Sequence, residues 1–173
     1  KELHDNKLIS GPIDRIKDIN IIPSPYLTGV LDNFFTLPLV PLLETTRGCP
    51  FSCTFCADGL AIKNKVRRYD SERTKDEIHY LAKHVKNISD LWITDLNFGM
   101  YKQDIVTAKV IADIQNKYNY PTIFSATVGK NMPERTIQVA KIIKGWNMVA
   151  SIQSTDLSVL KTVKRSNISK AAY

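Results

Sequence analysis

Leu39-Val40-Pro41-Leu42-Leu43-Glu44-Thr45-Thr46-Arg47-Gly48-Cys49-Pro50-Phe51-Ser52-Cys53-Thr54-Phe55-Cys56 is the stretch on which the reading of this chain turns. Its first half is a short apolar run bounded by Pro38 and Gly48, the pattern of a buried strand. Arg47-Gly48 then turns the chain into a loop that holds Cys49, Cys53 and Cys56, the only cysteines present. Their spacing is C-x3-C-x2-C. An odd number of cysteines crowded into one loop makes a poor disulfide framework. Thiolates gathered this tightly are soft ligands that select zinc or an iron–sulfur cluster.

Ligand number bears on the choice between those metals. A structural zinc site is closed and takes four ligands. The nearest histidine, His79, lies far along the chain on an expected helix, which leaves Asp58 as the other candidate. A 4Fe–4S cluster normally takes four thiolates. Three would leave one iron open, which serves an enzyme that binds a ligand there rather than an electron carrier. Inert packing of the thiols fits poorly with a loop that also contains Gly48 and Pro50.

Working outward, 173 residues suit one domain able to bury a core. Apolar residues are 43% and charged residues 24%, a globular balance. No run approaches 18 apolar residues, so no membrane span is expected. KELHDNKLIS at the N-terminus lacks the apolar core of a signal peptide, and the cytoplasm is the expected compartment. The net charge of +7 favours anionic partners in principle. However, the densest basic cluster (Lys63, Lys65, Arg67, Arg68) is short and has no interleaved aromatic stripe. It reads as a solvated surface, not a nucleic-acid site. The start at Lys1 and the end at Ala171-Ala172-Tyr173, with no closing strand, suggest a piece of something longer.

Before the cysteine loop, five of the eight prolines lie between Pro12 and Pro41. Residues 1–37 read as a Pro-rich strap, packed by Ile21, Ile22, Tyr26, Leu27, Phe34 and Phe35; residues 38–173 read as the core. Beyond the loop, helical and strand patterns alternate. Ile78, Leu81, Ala82 and Val85 mark a helix that Thr74 and Glu77 would open as a capping box. Leu91–Thr94 reads as a strand. Val110, Ile111, Ile114 and Tyr118 mark a second helix, and Thr122–Val128 a third strand. Pro133 and Glu134 open a third helix with Ile137, Ala140 and Ile143 on one face. Met148–Ile152 reads as a fourth strand, and Asp156 caps a last helix carrying Leu157, Leu160 and Val163. Trp92 and Trp146 read as core. His79 and His84, five apart, do not form an i,i+4 metal pair and read as ordinary helix-surface or packed residues.

Strands alternating with helices imply an α/β fold with parallel strands and right-handed crossovers. In barrels of this kind chemistry gathers at the C-terminal strand ends. Polar residues mark those ends: Asp95 and Asn97, Ser125 and Thr127, Ser151, Gln153 and Ser154. Unpaired polar groups are costly in a core, so their recurrence there argues for a site.

The C-x3-C-x2-C loop after the first strand, with Phe55 directly before its last cysteine, resembles the signature of the radical S-adenosylmethionine (radical SAM) enzymes. Ile22-Pro23-Ser24-Pro25-Tyr26-Leu27-Thr28-Gly29 and Asp95-Leu96-Asn97-Phe98-Gly99-Met100 resemble the branch that carries an N-terminal cobalamin-binding domain. The resemblance implies a partial (β/α)6 TIM-like barrel of which only about the first four units are present here. It implies that Cys49, Cys53 and Cys56 ligate a 4Fe–4S cluster whose open iron chelates S-adenosylmethionine. Reductive cleavage would give a 5′-deoxyadenosyl radical.

The family's Gly-Gly-Glu segment after strand two is replaced by Asp95-Leu96-Asn97-Phe98-Gly99. Asp95, then Asn97, would therefore hold the methionine amine, with Phe55 near the adenine. Ser125, Ser151 and Gln153 match positions that often face the ribose or the carboxylate, and Arg47 would offset cluster charge. Cobalamin would come through a domain outside this chain, and a flavodoxin or ferredoxin would supply the electron. The substrate is unreadable. The competing expectation is a non-catalytic metal module, either a zinc-stabilised domain or an iron–sulfur electron carrier.

Overall fold

In the computed structural model, the structure describes residues 15–166 and, at the backbone level, a short antiparallel pair formed by Glu2–His4 and Lys7–Ile9. The expectations at Pro12 and at Ala171–Tyr173 lie outside the described residues.

Four strands form one sheet: β1 (Leu42–Leu43), β2 (Asp90–Phe98), β3 (Ile123–Val128) and β4 (Trp146–Val149). They lie side by side in chain order, and every neighbouring pair is parallel. The connecting helices are α1 (Ser71–His84), α2 (Lys102–Tyr118) and α3 (Pro133–Ile142); α4 (Leu157–Thr162) follows β4. These are the four βα units that the alternation predicts. Parallel strands must return through crossovers, and the helices pack together over one sheet face.

That covered face is the core. Ile78 and Leu81 of α1, Ala108, Ile111 and Ile114 of α2, and Val139 of α3 meet Leu91, Ile93, Phe124 and Ala126. Phe98, Phe124 and Trp146 form an aromatic triangle with ring centroids 5.6 Å apart. On the opposite face, Leu42, Trp92, Ser125 and Asn147 lie in register across all four strands. Leu42 and Trp92 there are about half exposed, at 53% and 47%. The sheet is therefore covered on one side only among the described residues.

Several local expectations need correction. α1 begins a turn earlier than the Thr74–Glu77 box implies, with Asp70 at its N-cap. Thr74 and Glu77 instead face inward from the helix interior, where Glu77 is paired with Arg73 at 3.1 Å. Strand two runs on to Phe98, because Asp95 and Asn97 find buried partners and need not end it. β4 starts at Trp146, not Met148, since Gly145 at φ 66° turns the chain into the sheet there. α3 buries Thr136 and Val139 and leaves Ile137 exposed, whereas Ile143 at its C-terminal end is buried as expected. α4 buries Leu160, while Leu157 is exposed. Trp92 is not core; the pleat points it away from the helices.

The segment before β1 lies against the sheet edge. Ile19, Tyr26 and Phe35 are buried, and the Tyr26 hydroxyl donates to the Leu42 carbonyl at 2.6 Å. Ile21, Leu27 and Phe34, expected to pack, are exposed. His84 stacks on Tyr80 at 3.9 Å, an ordinary packed histidine. No helix among the described residues is long and apolar enough to cross a membrane.

Candidate metal centre

Because all four strands run the same way, their C-terminal ends share one edge, and the cysteine loop leaves from that edge. Just past β1, Thr46–Arg47 pair antiparallel with Arg67–Arg68, which closes residues 48–66 into one excursion. Two glycines shape it. Gly48 sits at φ +100°, and a Cβ there would fall 2.5 Å from the Lys65 carbonyl oxygen. A Cβ on Gly59 would fall 2.3 Å from the Cys53 carbonyl oxygen. Within the loop, the Cys49 N–H donates to Lys63 O, and the Cys56 N–H donates to Cys53 O at 3.1 Å. The Thr54 N–H donates to Val163 O at 3.1 Å, so the loop of the first unit docks on the end of α4.

Cys49 and Cys53 are buried, Cys56 is half-buried, and all three are free thiols. Two polar groups from later strands reach the sulfurs. Asn97 Nδ2, on β2, donates to Cys49 Sγ at 3.4 Å. Lys130 Nζ, two residues past β3, donates to Cys53 Sγ at 3.3 Å and lies 4.6 Å from the Phe51 ring centroid. The other end of the Asn97 amide, Oδ1, is buried without a hydrogen-bond partner among the described residues. Such an orphan acceptor is costly unless something occupies it. Among the described residues, no three His, Cys, Asp or Glu side chains gather to hold one metal ion. Soft donors, two N–H groups aimed at sulfur and a spare buried acceptor fit a thiolate-held cluster.

Asp95 is 2% exposed and fully engaged. Its Oδ1 accepts the N–H groups of Thr45 at 2.7 Å and Thr46 at 3.0 Å, and its Oδ2 accepts the Thr45 hydroxyl. Burial pushes its carboxyl up to about 6, against the lowering effect of these hydrogen bonds. The side chain thus ties β2 to the residues that launch the cysteine loop. Beside it, the Arg68 guanidinium lies 3.9 Å over the Tyr101 ring. The Tyr101 phenol is pushed up to about 12, chiefly by burial. Arg47 is bound to Glu44 through Nε at 2.9 Å, so its charge is already partnered.

The remaining sequence candidates are spread more widely. Phe55 is exposed, with the Arg165 guanidinium 5.9 Å from its ring centroid. Ser151 and Gln153 are exposed in the segment after β4, and Arg165 also donates to the Ser151 carbonyl. Ser125 is half-buried on the open face of β3. The structure thus brings Asn97 to the cysteines and Asp95 to the root of their loop. Lys130 escaped the sequence reading, as did Thr45 and Thr46 as partners of Asp95. Its position just past a parallel strand end was the available signal. A cleft of about 470 Å³ flanks the loop, lined by Arg15, Arg47, Lys63, Lys65 and Arg67 among others; none of the cysteines lines it.

No family model matches this chain. It is 34% identical, over 98% of its own length, to the 2-(S-pantetheinyl)-carbapenam-3-carboxylate methyltransferase of Streptantibioticus cattleyicolor. It is 35% identical, over 87% of its length, to the cobalamin-dependent radical SAM methyltransferase TokK of Streptomyces tokunonensis. The chain spans about a quarter of these relatives, 26% and 23% of their lengths. Its fold matches part of the cobalamin-dependent S-adenosylmethionine radical enzyme OxsB, solved with aqua-cobalamin and S-adenosylmethionine bound. That match has a TM-score of 0.59 and 18% identity, over 83% of this chain and 22% of that one. The apo form of OxsB matches with a TM-score of 0.57.

Proposed function

We propose that this chain, which resembles the core of the cobalamin-associated radical SAM enzymes, holds a 4Fe–4S cluster on Cys49, Cys53 and Cys56 and serves a methyl-transferring enzyme. The observation that carries the reading is the pair of N–H donors, Asn97 and Lys130, aimed at two of three free thiols at the C-terminal edge of a parallel sheet. When bound, the cluster supplies the electron that splits S-adenosylmethionine into methionine and a 5′-deoxyadenosyl radical.

The chain's own residues do the rest. Gly48 and Gly59 allow the close backbone approaches that the loop makes at Lys65 and Cys53. Asp95 fixes the start of that loop through Thr45 and Thr46. Since those contacts occupy Asp95, the unpartnered Asn97 Oδ1 is the better acceptor for the methionine amine. Phe55 offers a ring to the adenine, and Ser125, Ser151 and Gln153 offer hydroxyl and amide groups to the ribose and carboxylate. Cobalamin would be held by residues outside this chain; the relative TokK is named as cobalamin-dependent. A flavodoxin or ferredoxin provides the electron.

Anaerobic reconstitution with iron and sulfide, followed by electron paramagnetic resonance with and without S-adenosylmethionine, tests this. The reduced-cluster signal should change on addition of S-adenosylmethionine, and Cys53→Ala should abolish cluster assembly. An unchanged signal would point to a closed electron-transfer cluster. Stoichiometric zinc without a cluster would point to a structural module, and either result overturns the proposal.

A further inference from the structure

Lys130 is the one fixed cation in hydrogen-bond contact with a cysteine sulfur among the described residues. Its approach is built, not incidental. The β3–α3 turn is held by the Gly129 N–H on Phe98 O at 3.2 Å and by the Arg135 guanidinium on Met100 O. These bonds fasten the turn to the end of β2, where Asn97 contacts Cys49. Lys130 then reaches across to Cys53, a residue 77 positions earlier, with its stem partly buried and its ammonium against the Phe51 ring. A lysine with no task would extend into water, because holding it here costs side-chain entropy.

We propose that Lys130 is a positioning residue that sets the reduction potential of the cluster through the Cys53 sulfur, an inference that rests on the cluster reading above. A thiolate-held cluster becomes one unit more negative when it takes one electron from an external one-electron reductant. An ammonium donating to one of its sulfurs favours that more negative form, as do hydrogen bonds to the sulfurs generally. Asn97 makes the neutral counterpart of this contact at Cys49. The sheet thus delivers one donor from the end of β2 and one from beyond β3, to two different thiols.

The test is a redox titration of the reconstituted protein with a chemical reductant, in the absence of S-adenosylmethionine, followed by electron paramagnetic resonance. Lys130→Met should retain full iron and sulfide content. At a given potential, its ratio of reduced to oxidised cluster should fall about tenfold, which for one electron is about 59 mV. Lys130→Gln should fall between, and Lys130→Arg should restore the wild-type value, since it keeps charge and donor. Equal potentials in cluster-bearing wild type and Lys130→Met would overturn the role while leaving the cluster assignment intact. So would a loss of the S-adenosylmethionine-induced signal change in Lys130→Met at an unaltered potential, because the lysine would then serve the ligand and not the sulfur. If Lys130→Met loads poorly, the Gln and Arg variants decide, and equal potentials for those two overturn the proposal. Failure of the wild-type protein to bind any cluster would remove the earlier reading and this one together.

Discussion

Asp95 is a carboxylate buried within β2 beneath three donors, and its burial and its hydrogen bonds pull in opposite directions. Burial wins and raises its pKa from 3.8 to about 6. Asp104, whose carboxylate accepts the Tyr101 N–H at 2.8 Å at the start of α2, is raised to about 6 for the same reason. A raised carboxyl pKa means that the folded state binds the proton more tightly than the unfolded state. The associated stabilisation is complete below the unfolded value of 3.8 and is lost as pH rises through about 6. Stability measured by denaturant titration should therefore decline between pH 4 and pH 6.5. Asp95→Asn should flatten part of that slope, since an amide can still accept the Thr45 and Thr46 N–H groups and cannot ionise. Asp95→Ala should cost about 1–3 kcal/mol by leaving those buried donors unpaired. A pH profile identical in wild type and Asp95→Asn would show that this residue does not carry the effect. The sequence singled out Asp95 and Asn97 but set them past the end of the second strand, whereas both lie within β2. Their division of labour was not legible there, because it depends on contacts with residues 48 to 50 positions away.

At the scale of elements, the cysteine loop and the helices respond to different forces. The loop depends on close backbone approach. Gly59→Ala would drive a methyl into the Cys53 carbonyl, a rigid neighbour, so the loop must move. Iron incorporation should fall by at least half while far-ultraviolet circular dichroism stays unchanged; normal loading would refute the packing argument. The helices depend on apolar burial. Ile111 of α2 is fully buried against the sheet, and Ile111→Ala should cost about 2–5 kcal/mol. Trp92→Ala should change stability by no more than about 0.5 kcal/mol in this chain, because its ring stands on the uncovered face. Equilibrium unfolding of the two variants checks the contrast, and equal losses would contradict the assignment of faces. The sequence carried the alternation of elements well, since helical spacing and apolar runs are local. It misjudged the capping box of α1, the inward face of α3 and the start of β4. Each error is one of register, which local periodicity fixes only to within a residue or a turn.

Across the whole molecule, the helices protect one side of the sheet and the described residues leave the other bare. Leu42, Trp92 and Leu96 stand on that face, and Met148 and Val149 lie on the outer strand β4, all substantially exposed. An apolar face beside a strand edge that no described residue pairs favours association. The chain expressed by itself should show a weight-average mass that rises with concentration in sedimentation equilibrium, and Val149→Lys should reduce that rise. A monomer at every concentration tested would argue that the face is inert. Sequence alone determined that this chain alternates strands with helices and concentrates its soft ligands in one loop after the first strand, because both are properties of neighbouring residues. Only the tertiary structure decided that Asp95 serves the loop's root, that Lys130 rather than Arg47 offers its charge to a cysteine, and which sheet face lies open. Parallel strands joined by long crossovers bring together groups 50 to 77 residues apart, and no pattern along the chain specifies which of them will meet.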